Sequence, residues 1–414
     1  MLASNQFQNP KGYDWYMTED SENKRLSWKR GIMDWILTSM LAVAVTLSVR
    51  AAAPPKEFVY IGTYTERGSR GIYVSEFDTV KGSLASPVLA AETSQPSFFA
   101  VSSDRKFLYA VNEVNHFNGE PAGAVSAFSI DSSTGKLTLL DQVSSRDPGP
   151  AYIILDGAGH FVLVANYDGG SVAVFRLQPN GSIGELTGFV RHKGSSLNRE
   201  RQEGPHAHAI AMAPDNRFAI VADLGLDQLL VYPFDGSSGR LGTPRIIKTE
   251  PGAGPRHLVF SSNGKFLYVI NELKSTITVY SYAWRDGAML PIQTISTLPS
   301  GFAGSNTAAE VLLHPSGKFL YASNRGDENS IAVFSIDSRT GTLTFIEDVP
   351  SGGKIPRNFG IDPSGEWLLA ANQDSNTIVA FRINRESGHL TATGHAVEVK
   401  SPAIVHFLAL EQRR

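Results

Sequence analysis

From Phe58 onward, apolar residues gather in short runs that close on a single polar side chain, and the same phrase returns seven times. The phrases centre on Val59-Tyr60-Ile61-Gly62-Thr63, Leu108-Tyr109-Ala110-Val111-Asn112, Val162-Leu163-Val164-Ala165-Asn166 and Ala219-Ile220-Val221-Ala222-Asp223. They continue with Leu267-Tyr268-Val269-Ile270-Asn271, Leu320-Tyr321-Ala322-Ser323-Asn324 and Leu368-Leu369-Ala370-Ala371-Asn372. Each is short, bounded and rich in β-branched or aromatic residues, so each predicts one buried strand. Before the phrase stands a tight-turn sequence such as Pro214-Asp215-Asn216-Arg217 or Ser262-Asn263-Gly264-Lys265. After it comes a second alternating strand, such as Ser171-Val172-Ala173-Val174-Phe175 or Thr276-Ile277-Thr278-Val279-Tyr280. Helical periodicity of any length is missing from this part of the chain.

A repeat of roughly 48 to 57 residues fits a four-stranded blade, and seven of them predict an all-β chain folded as a seven-bladed β-propeller. The phrase at Val59 has no strand before it, and Pro402-Ala403-Ile404-Val405-His406-Phe407 is a strand with no phrase after it. The two ends therefore share one blade and close the ring, which makes residues 56–412 one propeller domain with no exposed sheet edge at the seam. We take the phrases as the innermost strands of their blades, and the strands that precede them as outer strands reaching the same rim.

Residues 1–53 follow other rules. A polar extension leads to Lys24, Arg25, Lys29 and Arg30, then to an apolar run from about Ile32 to Val49, then to Arg50-Ala51-Ala52-Ala53-Pro54-Pro55. Charge, apolar run and small residues in that order predict a signal peptide cleaved near Ala51 or Ala52, or an uncleaved membrane anchor. In either case the propeller is exported, to the periplasm or the extracellular space. Any contact with a membrane runs through that segment alone.

Composition narrows the function. The net charge of −3 supplies no basic field, which excludes nucleic acid as a partner and favours a small molecule. The absence of Cys removes thiolate metal sites and cysteine nucleophiles. A propeller works in its central funnel, where strands end, and the polar pairs just past the phrases are Asn112-Glu113, Asn166-Tyr167, Asp223-Leu224, Asn271-Glu272, Asn324-Arg325 and Asn372-Gln373. An Asn or Asp there can simply bond the turn backbone, and most of these six are expected to do so. The neighbouring Glu and Arg lack so plain an explanation. A second set, aligned by repeat position, is Pro205-His206-Ala207-His208, Pro255-Arg256-His257, Ala308-Ala309-Glu310 and Pro356-Arg357-Asn358. Side chains from separate blades could converge there on one cavity.

Taken in order, these residues resemble the lactonase family of seven-bladed propellers, which includes a bacterial type of 6-phosphogluconolactonase and is related to carboxy-cis,cis-muconate cyclases. The resemblance is carried by Gly62-Thr63-Tyr64-Thr65, Ala165-Asn166-Tyr167, Arg201-Gln202 before Pro205-His206-Ala207-His208, Asp223-Leu224-Gly225, Gly254-Pro255-Arg256-His257, Asn271-Glu272-Leu273, Tyr321-Ala322-Ser323-Asn324-Arg325 and Pro356-Arg357-Asn358-Phe359. It implies a sugar (phospho)lactone, or a related carboxylate, as ligand.

Lactone hydrolysis needs a base for water and positive charge for the oxyanion. Arg256, Arg325 and Arg357, with Asn271, Asn324, Tyr167 and Gln202, are the expected substrate-binding residues. His206, His208 or His257 is the expected base, with Glu272 or Glu310 orienting the imidazole or activating water. Of these, His206 and Glu272 are preferred. No cofactor is expected, and two His without a third ligand do not make a metal site. The alternatives are a muconate-type cycloisomerase, in which the Arg cluster holds carboxylates, and a non-catalytic binding propeller. A monomer is the default.

Overall fold

A computed structural model describes residues 56–409; the predicted signal or anchor at 1–53 lies outside them. The chain forms seven antiparallel sheets with four strand positions each. In chain order the complete blades run over residues 99–144, 150–191, 207–248, 255–296, 306–350 and 356–398. The closing blade joins Pro402–Ala409 to Lys56–Thr63, which pairs in turn with Gly71–Asp78. Register across the seam is regular from Glu57 to Gly62, with Tyr60 opposite His406 and Phe58 opposite Leu408, and slips over Ala403 where Thr63 meets Pro402. The expected sharing of one blade by the two ends is therefore what the chain does.

Turn chemistry builds each hairpin. The Asp156 carboxylate accepts from the backbone N–H groups of His160 and Phe161, and Asp362 repeats the pattern with Glu366 and Trp367. A short acidic side chain thus replaces ladder bonds that the turn cannot make. Among the described residues the apolar core divides into seven clusters, each spanning two neighbouring blades. At the seam, Phe77 packs edge-on against Phe407 and Trp367, at 5.1 and 6.1 Å between ring centres. Such contacts add about 0.5–1.5 kcal/mol per pair to the area they bury.

The phrase strands are buried along their whole length, as Phe161–Asn166 and Trp367–Asn372 show, yet they are not innermost. Each is the second strand of its blade, with a further strand on its axial side. The innermost strands are the ones that precede the phrases: Phe99–Val101, Pro150–Leu155, Ala207–Met212, Pro255–Phe260, Asn306–Leu313, Pro356–Ile361 and Pro402–Ala409. All seven line one axial cavity of about 700 Å³. The assignment of inner and outer strands made from sequence is corrected on this point. The cause is physical, since a strand packed between two neighbouring blades is as apolar as one that faces the axis.

Candidate active site

Where the innermost strands begin, the ladder is broken at the same place in several blades. Pro150 faces Asn166, Pro255 faces Asn271, and Pro356 faces Asn372; the register then slips over Ala151, Arg256 and Arg357. In the blade of residues 207–248 it is Ala207 that faces Asp223 and His208 that is slipped. In the blade of residues 306–350 the irregularity takes in Ala309 and Glu310. A bulge re-aims the side chain that it carries, so Arg256, Arg357, His208 and Glu310 are all turned by one device, helped at Arg256 and Arg357 by a preceding proline that has no N–H to offer the ladder. The Pro before His206 stands two residues earlier than its counterparts, which is why aligning on proline selected His206 in place of His208.

At one end of the axis these bulges open into a polar cavity of about 310 Å³, lined by Glu113, Tyr167, Arg201, His208, Glu272, Arg325 and Arg357 among others. Glu272 is its electrostatic centre. Its Oε1 accepts from Arg201 at 2.6 Å, and its Oε2 accepts from Arg256 Nε at 2.9 Å and lies 3.1 Å from an Arg325 nitrogen. Burial alone would raise its pKa, but Arg325, Arg256 and Arg201 outweigh burial and hold the carboxyl down to about 2. A carboxylate so committed is a poor proton acceptor.

The arginines differ in what they have left to give. Arg256 is 2% exposed, bonds Glu272 and donates to the Ala309 carbonyl at 2.7 Å, and sits beneath the cavity. Arg325 lines the cavity, bonds Glu272 and the Ala308 carbonyl, and leaves a buried Nε without a partner. Arg357 stacks over the Tyr64 ring at 5.1 Å, and its guanidinium makes no hydrogen bond or ion pair among the described residues. It is available to a ligand.

The histidines divide in the same way. His206 stacks on Tyr167 at 4.4 Å, its Nδ1 lies 3.0 Å from the Tyr167 carbonyl and its Nε2 lies 3.2 Å from Glu203. Both nitrogens are engaged, and the ring stands behind Tyr167 instead of lining the cavity. His208 does line it, with a buried Nδ1 that has no protein partner. Burial first, then Arg256, His257 and Arg357, push its pKa well below the ordinary 6.5, so it is neutral at pH 7. His257 lies 5.1 Å from His208 between ring centres and donates Nδ1–H to Glu310 Oε1 at 2.9 Å. Glu310 also accepts from Asn358 and from the Val311 N–H. Burial lowers His257 to about 4 in spite of that carboxylate.

Three expected substrate-binding residues do not reach the cavity. Asn271 donates to Thr276 and Thr278, and Asn324 is held by Thr297 and Ser330. The amides of Asn166, Asn324 and Asn372 each donate to the carbonyl of a connector from the preceding blade, at Ser145, Thr297 and Ser351. Gln202 is fully buried and pins the loop that carries Arg201, donating to the Leu224 carbonyl and accepting from the Asn198 N–H. Arg201, Glu113 and Tyr64 had been given no role from sequence. The signal was available for two of them, since Tyr64 and Glu113 occupy the repeat position of Tyr167, Glu272 and Arg325.

Comparison with known proteins agrees with this geometry. A family described as lactonase, seven-bladed β-propeller, matches residues 58–407. The chain is 35% identical over 350 residues to the 6-phosphogluconolactonase of Bacillus subtilis, covering 84% of this chain and 97% of that one. It is also 35% identical to the 6-phosphogluconolactonase of Formosa agariphila, over 80% and 94% of the two chains. Among solved structures, the periplasmic gluconolactonase of Pseudomonas aeruginosa superposes with a TM-score of 0.82 at 33% identity, over 86% of this chain and 100% of that one.

Proposed function

Because the chain belongs to the seven-bladed β-propeller lactonase family, we propose that it hydrolyses a sugar lactone in the polar cavity at the end of its axis. The observation that carries this reading is the pairing, within one cavity, of an unpartnered neutral imidazole, His208, with an uncommitted guanidinium, Arg357. The imidazole of His208 takes a proton from water as the water oxygen bonds to the lactone carbonyl carbon. Arg357, with Arg325 beside it, stabilises the oxyanion. The ring C–O bond then breaks, and the proton held by His208 passes to the departing alkoxide, leaving the open hydroxy acid. Glu272 keeps three arginines in place, and Glu310 orients His257 against His208. His206 and Gln202 act as positioning residues, the first for Tyr167 and the second for Arg201.

We place the reaction outside the cytoplasm. The order of charge, apolar run and small residues before Pro54 supports export, as does a periplasmic relative, and no helix among the described residues is long and apolar enough to cross a membrane. Mass analysis of the chain recovered from the cell envelope should give an N-terminus near residues 51–53. The closed ring supports action as a monomer, which light scattering checks.

The deciding experiment follows the opening of freshly prepared gluconolactone by the purified protein, with spontaneous hydrolysis subtracted. Opening well above background, lost in Arg357→Ala and in His208→Asn, is the expected result. A rate equal to background with both gluconolactone and 6-phosphogluconolactone removes the hydrolase reading.

A further inference from the structure

The cavity also holds a second carboxylate, whose role rests on the lactonase reading. Glu113 lines the cavity, and its Oε2 accepts the Tyr64 hydroxyl at 2.8 Å while its Oε1 has no protein partner among the described residues. Tyr64 carries Arg357 on its ring face, so Tyr64 joins the free carboxylate oxygen to the free guanidinium. The cavity's charges can be sorted by commitment. Arg201 and Arg325 are bound to Glu272, with Arg256 behind them, which leaves Arg357 as the cation available to a ligand. Once Arg357 and the spare Nε–H of Arg325 serve the lactone carbonyl, no other cation lining the cavity is free to meet a second anionic group, and Glu113 opposes one.

We propose that Glu113 is a specificity-determining residue that selects uncharged polyhydroxylated lactones. Its free oxygen accepts hydroxyl hydrogens of the sugar and repels a phosphate at the far end of the same sugar. A carboxylate that accepts from hydroxyls discriminates by leaving unpaired, or placing against like charge, whatever does not donate to it. Tyr64 fixes the carboxylate through Oε2 and so aims Oε1 inward.

The test compares kcat/KM for gluconolactone and 6-phosphogluconolactone in the parent protein and in Glu113→Gln, and measures binding of gluconate and 6-phosphogluconate to both by calorimetry. The parent should prefer the unphosphorylated lactone. Glu113→Gln should shift the ratio toward the phosphorylated one by at least about tenfold, as expected for removal of one like charge from a confined site. A ratio unchanged by the substitution, or a parent that prefers the phosphorylated lactone, overturns the proposal. Should neither lactone be turned over, the hydrolase reading fails, and the binding arm still decides on Glu113. Gluconate bound more tightly than 6-phosphogluconate, with the preference lost in Glu113→Gln, supports the selection; equal binding, or no binding of either acid, defeats it.

Discussion

Replacing Glu272 with Gln leaves Arg201, Arg256 and Arg325 without their shared counter-charge, in a place where Arg325 and Arg357 already press on Arg256. Removing one partner of a buried ion cluster costs about 3–5 kcal/mol, so Glu272→Gln should lower Tm as well as turnover. His208→Asn behaves differently. It removes the proposed base but breaks no protein hydrogen bond, so kcat should fall at least about a hundredfold while Tm stays within a few degrees. Thermal melts and initial rates on the same two variants check both statements. The kcat/KM profile carries a sign of its own. His208 must be neutral to act, and burial holds its pKa well below 6.5, so activity should persist into acid and fall only well below pH 6.5. At this scale the sequence put forward both imidazoles of one segment, and it is His208, not the preferred His206, that lines the cavity. His206 and His208 are two residues apart on one segment, and only the bulge after Ala207 settles which ring reaches the cavity.

The blade entrances show what an element does that a residue cannot. Six of the seven entrances couple a bulged inner strand to the polar end of the phrase strand beside it, and the meeting at Asp223 is tight. A Cβ on Gly225 would lie 1.9 Å from the Gly204 carbonyl oxygen and 2.8 Å from the His206 N–H nitrogen, so only glycine lets the loop after Asp223 approach the loop before His206. Gly225→Ala should push those loops apart and displace Arg201 and Tyr167. A shift of about an ångström can cost a hundredfold in kcat/KM, and steady-state kinetics on this variant measure it. Asp223 locks the same junction from below. It accepts from the His206 and Leu226 N–H groups and, on its other oxygen, sits 2.6 Å from His192, whose far nitrogen meets Tyr232. Strand number and spacing were legible from the repeat. Which strand faces the axis was not, because that depends on how separate blades stand to one another, and nothing in a single blade's pattern records it.

Across the whole molecule, closure depends on Pro402–Ala409 filling the axial position beside Lys56–Thr63, as the two half-blades in the sequence implied. Glu57 lies on that seam with one buried oxygen unpartnered, and burial followed by the nearby Asp362 lifts its pKa from 4.5 to about 7. An acid whose folded pKa is raised keeps a proton that the unfolded chain releases between those values, so this group subtracts stability as pH climbs from about 4.5 through 7. The Tm advantage of Glu57→Gln over the parent should therefore widen between pH 5 and pH 8. The seam also sets a timetable. The strand made first among those described cannot acquire its axial partner until the one made last has left the ribosome, an interval on the order of tens of seconds at ordinary rates of synthesis. Throughout that time the nascent chain has an unclosed ring, with the axial edge of its first described strand open to pairing with any other strand it meets.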